Sequence, residues 1–464
     1  MNFFGRNQEL KRLKSFFCDD LSMAALVYGR RRVGKSELIK QAIKESEYKF
    51  IYYECKQTSE ANNVESLSLL IAEVFDLPCI QFKNMEATLQ FLFQSALNKR
   101  IILVLDEYPY LRERVEGLDS IIQGLVDKYR ENSQLKLVVC GSYIDTMRSL
   151  LLVQNPLYGR VDLTIDLKPM NYLEAACFYP TFSNEDKVRL YSVFGGIPYY
   201  NRLINPSQTV EENIIRLIAS PGARLENEIG LFLRAEISKI SNANIVFETL
   251  AKGFTRFKDI LSQSHISSGP TLVDVLDRLI NMEIVAKTSP INDENNKRKS
   301  GYYICDNLAL FYYKYVFRYS SQISIMPSEI FYEKYIKEDF NSSHVPKVFE
   351  SICGQYLIEL NKRGLMRQTF EKIGRYYYDD SVNKKNGEFD IVTLDSSGYN
   401  FYEAKFRNHG IDRKMIEAEI RQVEATGLQC HHYGFFSKGG FCEDVNNLDK
   451  ISCFTLDDLF NIKP

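Results

Sequence analysis

Residues Gly29-Arg30-Arg31-Arg32-Val33-Gly34-Lys35-Ser36 fit the pattern G-x-x-x-x-G-K-[ST] at every fixed position. This pattern works only where a strand delivers the chain into a tight turn and a helix carries it away. Both flanks agree: residues 24–28 are an apolar run and Lys35 to Lys44 reads as a helix. The glycines let successive backbone N–H groups curl around phosphate oxygens, and the helix N-terminus adds a favourable dipole. Lys35 is expected on the β- and γ-phosphates of ATP, and Ser36 on Mg2+. The predicted nucleotide-binding set is Gly29, Arg30, Arg31, Arg32, Val33, Gly34, Lys35, Ser36 and the following Glu37. The three arginines favour a polyphosphate, with at least one of them facing solvent.

Three further apolar runs, at 50–54, 100–105 and 135–140, read as strands separated by helical patterns. That alternation predicts a parallel sheet covered on both faces. Asp106 and Glu107 close the third strand. Asp106 is placed to orient the Mg2+ water shell, and Glu107 to activate the attacking water. Ser142 follows the fourth strand, where it either senses the γ-phosphate or caps the next helix. Arg160, in Leu157-Tyr158-Gly159-Arg160, is either an arginine finger, in cis or in trans, or a surface arginine.

The chain has 464 residues, enough for about two to four domains. A net charge of -2 excludes a globally basic nucleic-acid binder but leaves room for a local basic patch. No apolar run approaches the ~18 residues of a membrane span, and Met1 to Leu10 carries no signal-peptide core. Ten cysteines without a C-x-x-C pair point to reduced thiols and a cytoplasmic location. Five dispersed histidines suggest no metal cluster, and His431 and His432 read as structural.

From about Asp166 to 240 the pattern is helical, broken at Gly195-Gly196-Ile197-Pro198. Residues 245–305 read as three helices and a β-wing. Thr255 to Ile260 begins one helix, and the turn falls near His265 to Gly269. Pro270 to Met282 follows as a recognition helix, with proline at its first position. Lys297, Arg298 and Lys299 of the wing would meet phosphates. Asp274 and Asp277, against the single Arg278, leave a protein-contact or lid-packing role equally open. Pro327 to Pro346 reads as a linker. Beyond it come a helix, three strands, a helix and a strand.

Glu388-Phe389-Asp390-Ile391-Val392 reads as a strand with carboxylates at its start, and Phe401-Tyr402-Glu403-Ala404-Lys405 as a second strand. Alternation puts Glu403 and Lys405 on one face. Asp390 and Glu403 on neighbouring strands could hold Mg2+ and activate water against a phosphodiester, with Lys405 steadying the charge. Plain solvated alternation on an edge strand would produce the same pattern.

Phe4-Gly5-Arg6-Asn7-Gln8-Glu9-Leu10 resembles the opening of the archaeal-type branch of AAA-like ATPases, which also occur in bacteria. The phosphate loop, Asp106-Glu107, Gly141-Ser142 and Leu157 to Arg160 follow in that family's order. Phe194 to Tyr200 resembles its G-G-x-P-x-Y lid segment, and the likeness runs to about residue 320. It implies that Phe4, Gly5 and Arg6 lie near the adenine, although a helix start with Phe4 stapled to the core is the plainer reading. The C-terminal strands look like the D-x(n)-E-x-K core of the restriction-endonuclease-like superfamily. Glu350 matches its upstream acidic position, as a further metal ligand, and Gln422 falls on the helix after the core. A domain of this type follows the ATPase and winged helix in the same family.

The expected fold is α/β multidomain. A P-loop NTPase core spans 1–165, a helical lid 166–240, a winged helix-turn-helix 241–320, and a C-terminal α/β restriction-endonuclease-like domain 327–464. The expected activity is ATP hydrolysis coupled to DNA binding, with Mg2+-dependent DNA cleavage at the C-terminal domain. The alternative is a nucleotide-controlled switch whose C-terminal domain is a non-catalytic interaction module. ATP/ADP and DNA are the expected partners, no membrane is expected, and homo-oligomerisation is left open.

Overall fold

The computed structural model describes residues 3–462 apart from 21, 22, 79, 237–239, 297, 298, 381–384, 429 and 446–449. Lys297 and Arg298, expected on the wing, lie outside the described residues. The chain divides into two compact units, Met1–Met170 with Ile197–Tyr199, and Asn171–Gly196 with Tyr200–Pro464.

The first unit is built on five parallel strands: β1 (Ala24–Tyr28), β2 (Lys49–Glu54), β3 (Ile101–Asp106), β4 (Leu135–Gly141) and β5 (Leu163–Asp166). Their order is β2-β3-β4-β1-β5. β1, β3 and β4 are buried along their whole length, as continuous apolar strands between two helical layers must be. In such sheets ligands bind outside the carboxyl ends of the strands. Here β1 lies beside β4, and β4 beside β3. That order gathers Gly29, Ser142 and Asp106-Glu107 at one edge. The helix Lys35–Lys44 follows the loop and buries Leu38, Ile39, Ala42 and Ile43.

β5 was not anticipated, and it moves the core boundary: position 165 falls inside the strand rather than after it. The strand is four residues long and only Ile165 is buried, so it lacked an apolar run. Residues Ile197–Tyr199, expected in the lid, group with the core.

In the second unit, helices Ile240–Ala251, Phe257–Ser264 and Gly269–Asn281 precede the antiparallel pair β6 (Val285–Thr288) and β7 (Gly301–Ile304). Ser268 caps the third helix through the Thr271 N–H, with Pro270 in its first turn. A second sheet runs β12-β11-β10-β9-β8. Its strands are β8 (Lys372–Asp380), β9 (Lys385–Asp395), β10 (Gly398–Lys405), β11 (Cys430–Ser437) and β12 (Ile451–Thr455). β8, β9 and β10 are antiparallel to their neighbours in turn, and β10-β11 and β11-β12 are parallel.

Three expectations are corrected here. The supposed linker 327–346 is helical over Ser328–Tyr335 and continues through Phe340–His344 into the helix Val345–Lys362. Its Phe331, Tyr332, Ile336, Phe340 and His344 are buried. These side chains recur at helical spacing, so they pack rather than connect. β9 begins at Lys385, so Glu388 and Asp390 lie inside the strand instead of at its start. β12 and the helix Leu456–Phe460 extend the C-terminal fold beyond the expected final strand.

Candidate active site and carboxylate cluster

The phosphate loop is held by close backbone contacts. Gly29 has φ +150°, and a Cβ there would lie 2.3 Å from the Leu167 carbonyl oxygen, so only glycine fits. Gly34 caps the following helix at φ 99°. Arg6 is buried and donates to the Val33 carbonyl at 3.3 Å and the Lys168 carbonyl at 2.5 Å, bracing the loop. Arg30 is buried, Arg31 is exposed, and the Arg32 guanidinium lies 4.2 Å from the centre of the Tyr199 ring. Glu37 and the half-buried Phe4 and Gly5 lie beside these elements in sequence.

Lys35 Nζ donates to the carbonyls of Gly29 (2.9 Å) and Arg30 (3.0 Å) and to Ser142 Oγ (3.2 Å). Ser142 Oγ donates in turn to Glu107 Oε1 at 2.7 Å, and its N–H donates to Oε2 at 3.3 Å. Ser142 therefore links the loop lysine to the carboxylate. It is not a helix cap, since Tyr143 holds that position for Ile144–Ser149. Ser36 Oγ donates to Asp106 Oδ2 at 2.8 Å, and the Glu107 N–H donates to Oδ1 at 2.9 Å. Tyr52 also donates to Asp106 Oδ2. Burial pushes the Asp106 carboxyl up, but the bonds from Tyr52, Ser36, Cys140 and the Glu107 N–H together outweigh it and hold it below the usual range.

The paired hydroxyl and carboxylate of Ser36 and Asp106 suit Mg2+, which takes one or two protein oxygens and completes its shell with water and phosphate. Tyr52 had no sequence signal as a site residue. Neither did Arg148, which donates to Asp166 Oδ2 at 3.0 Å, where Lys168 also reaches. Asp166 is the register partner of Tyr28, so these cations stand at the phosphate-loop edge of the sheet.

Arg160 does not. It pairs with Asp127 at 3.0 Å, and Asp162 accepts the N–H groups of Met23 and Ala24 at the start of β1. All five strands run the same way, so the segment entering β5 sits at the amino edge, a strand length from the loop. The expectation of a cis arginine finger is therefore corrected.

In the second unit, Tyr402 on β10 lies opposite Ile391 on β9, bringing Glu403 toward Asp390. Lys347 donates to Glu350 at 2.5 Å and to Asp390 at 2.8 Å. Arg375 lies 3.5 Å from Asp390 and 3.4 Å from Glu388. Lys405 pairs with Glu403 at 2.5 Å and with Glu419 at 3.0 Å. Partial burial pushes Glu350 up to about 7, with Asp390 and Glu403 adding to the rise and Lys347 opposing it. Burial, Glu419 and Asp390 also raise Glu403, against Lys405. A cleft of about 1200 Å3 opens on Lys347, Glu350, Arg375 and Asp390.

The carboxylates are oxygen donors of the right kind for Mg2+. As arranged, however, each is matched by a lysine or arginine. Among the described residues no group of three or more His, Cys, Asp or Glu side chains is arranged to hold a metal ion. As the side chains stand, Glu350, Asp390 and Glu403 form an ion-pair cluster with Lys347, Arg375 and Lys405. Gln422 donates to the Tyr378 hydroxyl at 3.1 Å, while Glu419 on the same helix, which sequence reasoning missed, pairs with Lys405.

A five-stranded parallel sheet with a complete phosphate loop and an acidic strand end defines a P-loop ATPase domain. Residues 3–202 match the family described as an ATPase domain predominantly from Archaea. Residues 312–423 match a family of archaeal and bacterial proteins of unknown function. The chain is thus similar to an archaeal-type ATPase domain over its first part and to that second family over 312–423. An uncharacterized protein of Methanocaldococcus jannaschii is 28% identical over 467 residues, spanning 98% of this chain and 99% of its own. The Walker-type ATPase of Pyrococcus abyssi is similar in fold, with TM-score 0.51 and 17% identity, over 67% of this chain and 96% of its own. The ORC2 protein of Aeropyrum pernix, in ADPNP and ADP complexes, matches at TM-score 0.46 and 13% identity, over 68% and 95%. Among the described residues no helix is long and apolar enough to cross a membrane.

Proposed function

We propose that the chain hydrolyses Mg·ATP at the first unit and uses the turnover to control its grip on DNA. The observation that carries this reading is the chain of contacts Lys35–Ser142–Glu107 beside the Ser36–Asp106 pair. It offers a cation for the phosphates, a metal-side carboxylate and a base, all on the carboxyl edge of one sheet. When bound, Mg2+ would neutralise phosphate charge next to Ser36 and Asp106. Glu107 would take the proton of the attacking water, while Lys35 orients the phosphates. Phe4 and Gly5 would border the base. Arg160 would serve a neighbouring copy's nucleotide if the chain assembles.

The helix Gly269–Asn281 and the β6-β7 hairpin suit a winged helix, with the hairpin against DNA phosphates. The C-terminal domain, of restriction-endonuclease-like design, would hold DNA along its cleft. Its carboxylates already carry matching cations, which favours holding over cutting. Magnesium-dependent cleavage is the second reading, supported by Glu403 and Lys405 on β10 next to Asp390 on β9.

Fluorescence anisotropy with labelled duplex tests the DNA reading. Binding should be present at ~50 mM salt and fall about tenfold by ~200 mM, as expected where two phosphates are neutralised. No binding at ~50 mM salt would favour a nucleotide-controlled switch acting on protein partners. Incubation of supercoiled plasmid with Mg2+ or Mn2+ separates holding from cutting. Intact plasmid is expected; nicking that vanishes in Asp390→Ala and Glu403→Ala would establish cleavage.

A further inference from the structure

We propose that Tyr52 is a positioning residue for the ATPase metal, fixing which oxygen of Asp106 faces the ion. The inference rests on the ATPase reading and goes beyond it. β2 is an edge strand, and Tyr52 sits two positions before Glu54, the register partner of Asp106. Side chains two apart on a strand share a face, so Tyr52 and Asp106 point the same way from neighbouring strands.

The Tyr52 hydroxyl donates to Asp106 Oδ2, which also accepts from Ser36 Oγ at 2.8 Å. A carboxylate oxygen offers about two acceptor sites, so Oδ2 is saturated. Oδ1 accepts the Glu107 N–H at 2.9 Å, and the buried Cys140 thiol, a weak donor, also bonds to the carboxylate. With Oδ2 taken, a metal-bound water would meet the carboxylate at Oδ1, and Ser36 could offer its own oxygen to the ion while still donating to Oδ2. Phenylalanine would serve packing equally well at this position. A hydroxyl taken out of water is costly unless it is bonded, so the bond to Asp106 is its use here. Lys40, from the helix after the phosphate loop, lies 4.9 Å from the centre of the Tyr52 ring.

The test titrates MgCl2 into the full chain with a fluorescent ATP analogue, for the parent and for Tyr52→Phe. Thermal melting is recorded for both. In EDTA the two should bind the analogue equally. The Mg2+ concentration giving the half-maximal metal-dependent change should rise about tenfold in the variant, the size expected for losing a hydrogen bond to a charged group. Lys40→Ala, which leaves the hydroxyl in place, should follow the parent's Mg2+ curve. Superimposable Mg2+ curves for parent and Tyr52→Phe would overturn the inference while leaving the ATPase intact. An equal loss of binding in EDTA would also overturn it, by marking a structural role. If the parent takes up no analogue in either condition, the ATPase reading itself fails.

Discussion

Glu107→Gln should bind Mg·ATP as tightly as the parent chain and release phosphate about 10²- to 10⁴-fold more slowly, the usual span for losing a general base. Glutamine keeps the shape of the side chain, and its single amide oxygen can still accept from the Ser142 hydroxyl, now 2.7 Å from the carboxylate, while the longer 3.3 Å bond from the Ser142 N–H is given up. What it loses is the ability to take a proton from water. Residue 107 holds a left-handed backbone, φ 52°, at the N-cap of Tyr108–Arg112, so its side chain leaves the end of β3 along a fixed path. Malachite-green phosphate assays paired with equilibrium binding separate the two effects. A loss smaller than about threefold would move the base elsewhere, given that true general bases contribute far more.

Lys35→Ala should fail one step earlier, losing both nucleotide uptake and turnover. Its ammonium is buried and makes three hydrogen bonds, to two loop carbonyls and to Ser142. Removing it deletes the loop lysine expected at the terminal phosphates and leaves those carbonyls without this donor. Phosphate release should drop to background, a fall of about 10³ or more, comparable to removing a main electrostatic stabiliser. The contrast between the variants is informative: one keeps binding and loses chemistry, the other loses both. Turnover by Lys35→Ala within tenfold of the parent would show that the loop is not the site.

The phosphate loop was legible because its chemistry is local. Fixed spacing, a strand before and a helix after all lie within one stretch of chain, and the acidic end of β3 needed only the same apolar periodicity. Tyr52 was not legible, because its role depends on β2 lying beside β3, which is a tertiary fact. Arg160 shows the reverse case. Its segment was recognisable, but its position depends on the direction of β5, a strand too short and too polar to announce itself.

At the C-terminal domain, Glu350, Asp390 and Glu403 could be picked from acid spacing and strand alternation. Lys347 and Glu419 could not, since each meets its partner from a different element. The lysine bridge between Glu350 and Asp390 is a tertiary contact that spacing cannot reveal. The segment 327–346 is bounded by prolines, yet Phe331, Tyr332, Ile336 and Phe340 within it recur at helical spacing and pack as one buried face.

Isothermal calorimetry of the folded, full-length chain with Mg·ATP tests the central claim most directly. About one equivalent should bind saturably, with Kd below ~1 mM, and Lys35→Ala should give no such signal. A folded parent chain that takes up no Mg·ATP at millimolar concentration would contradict the account at its root.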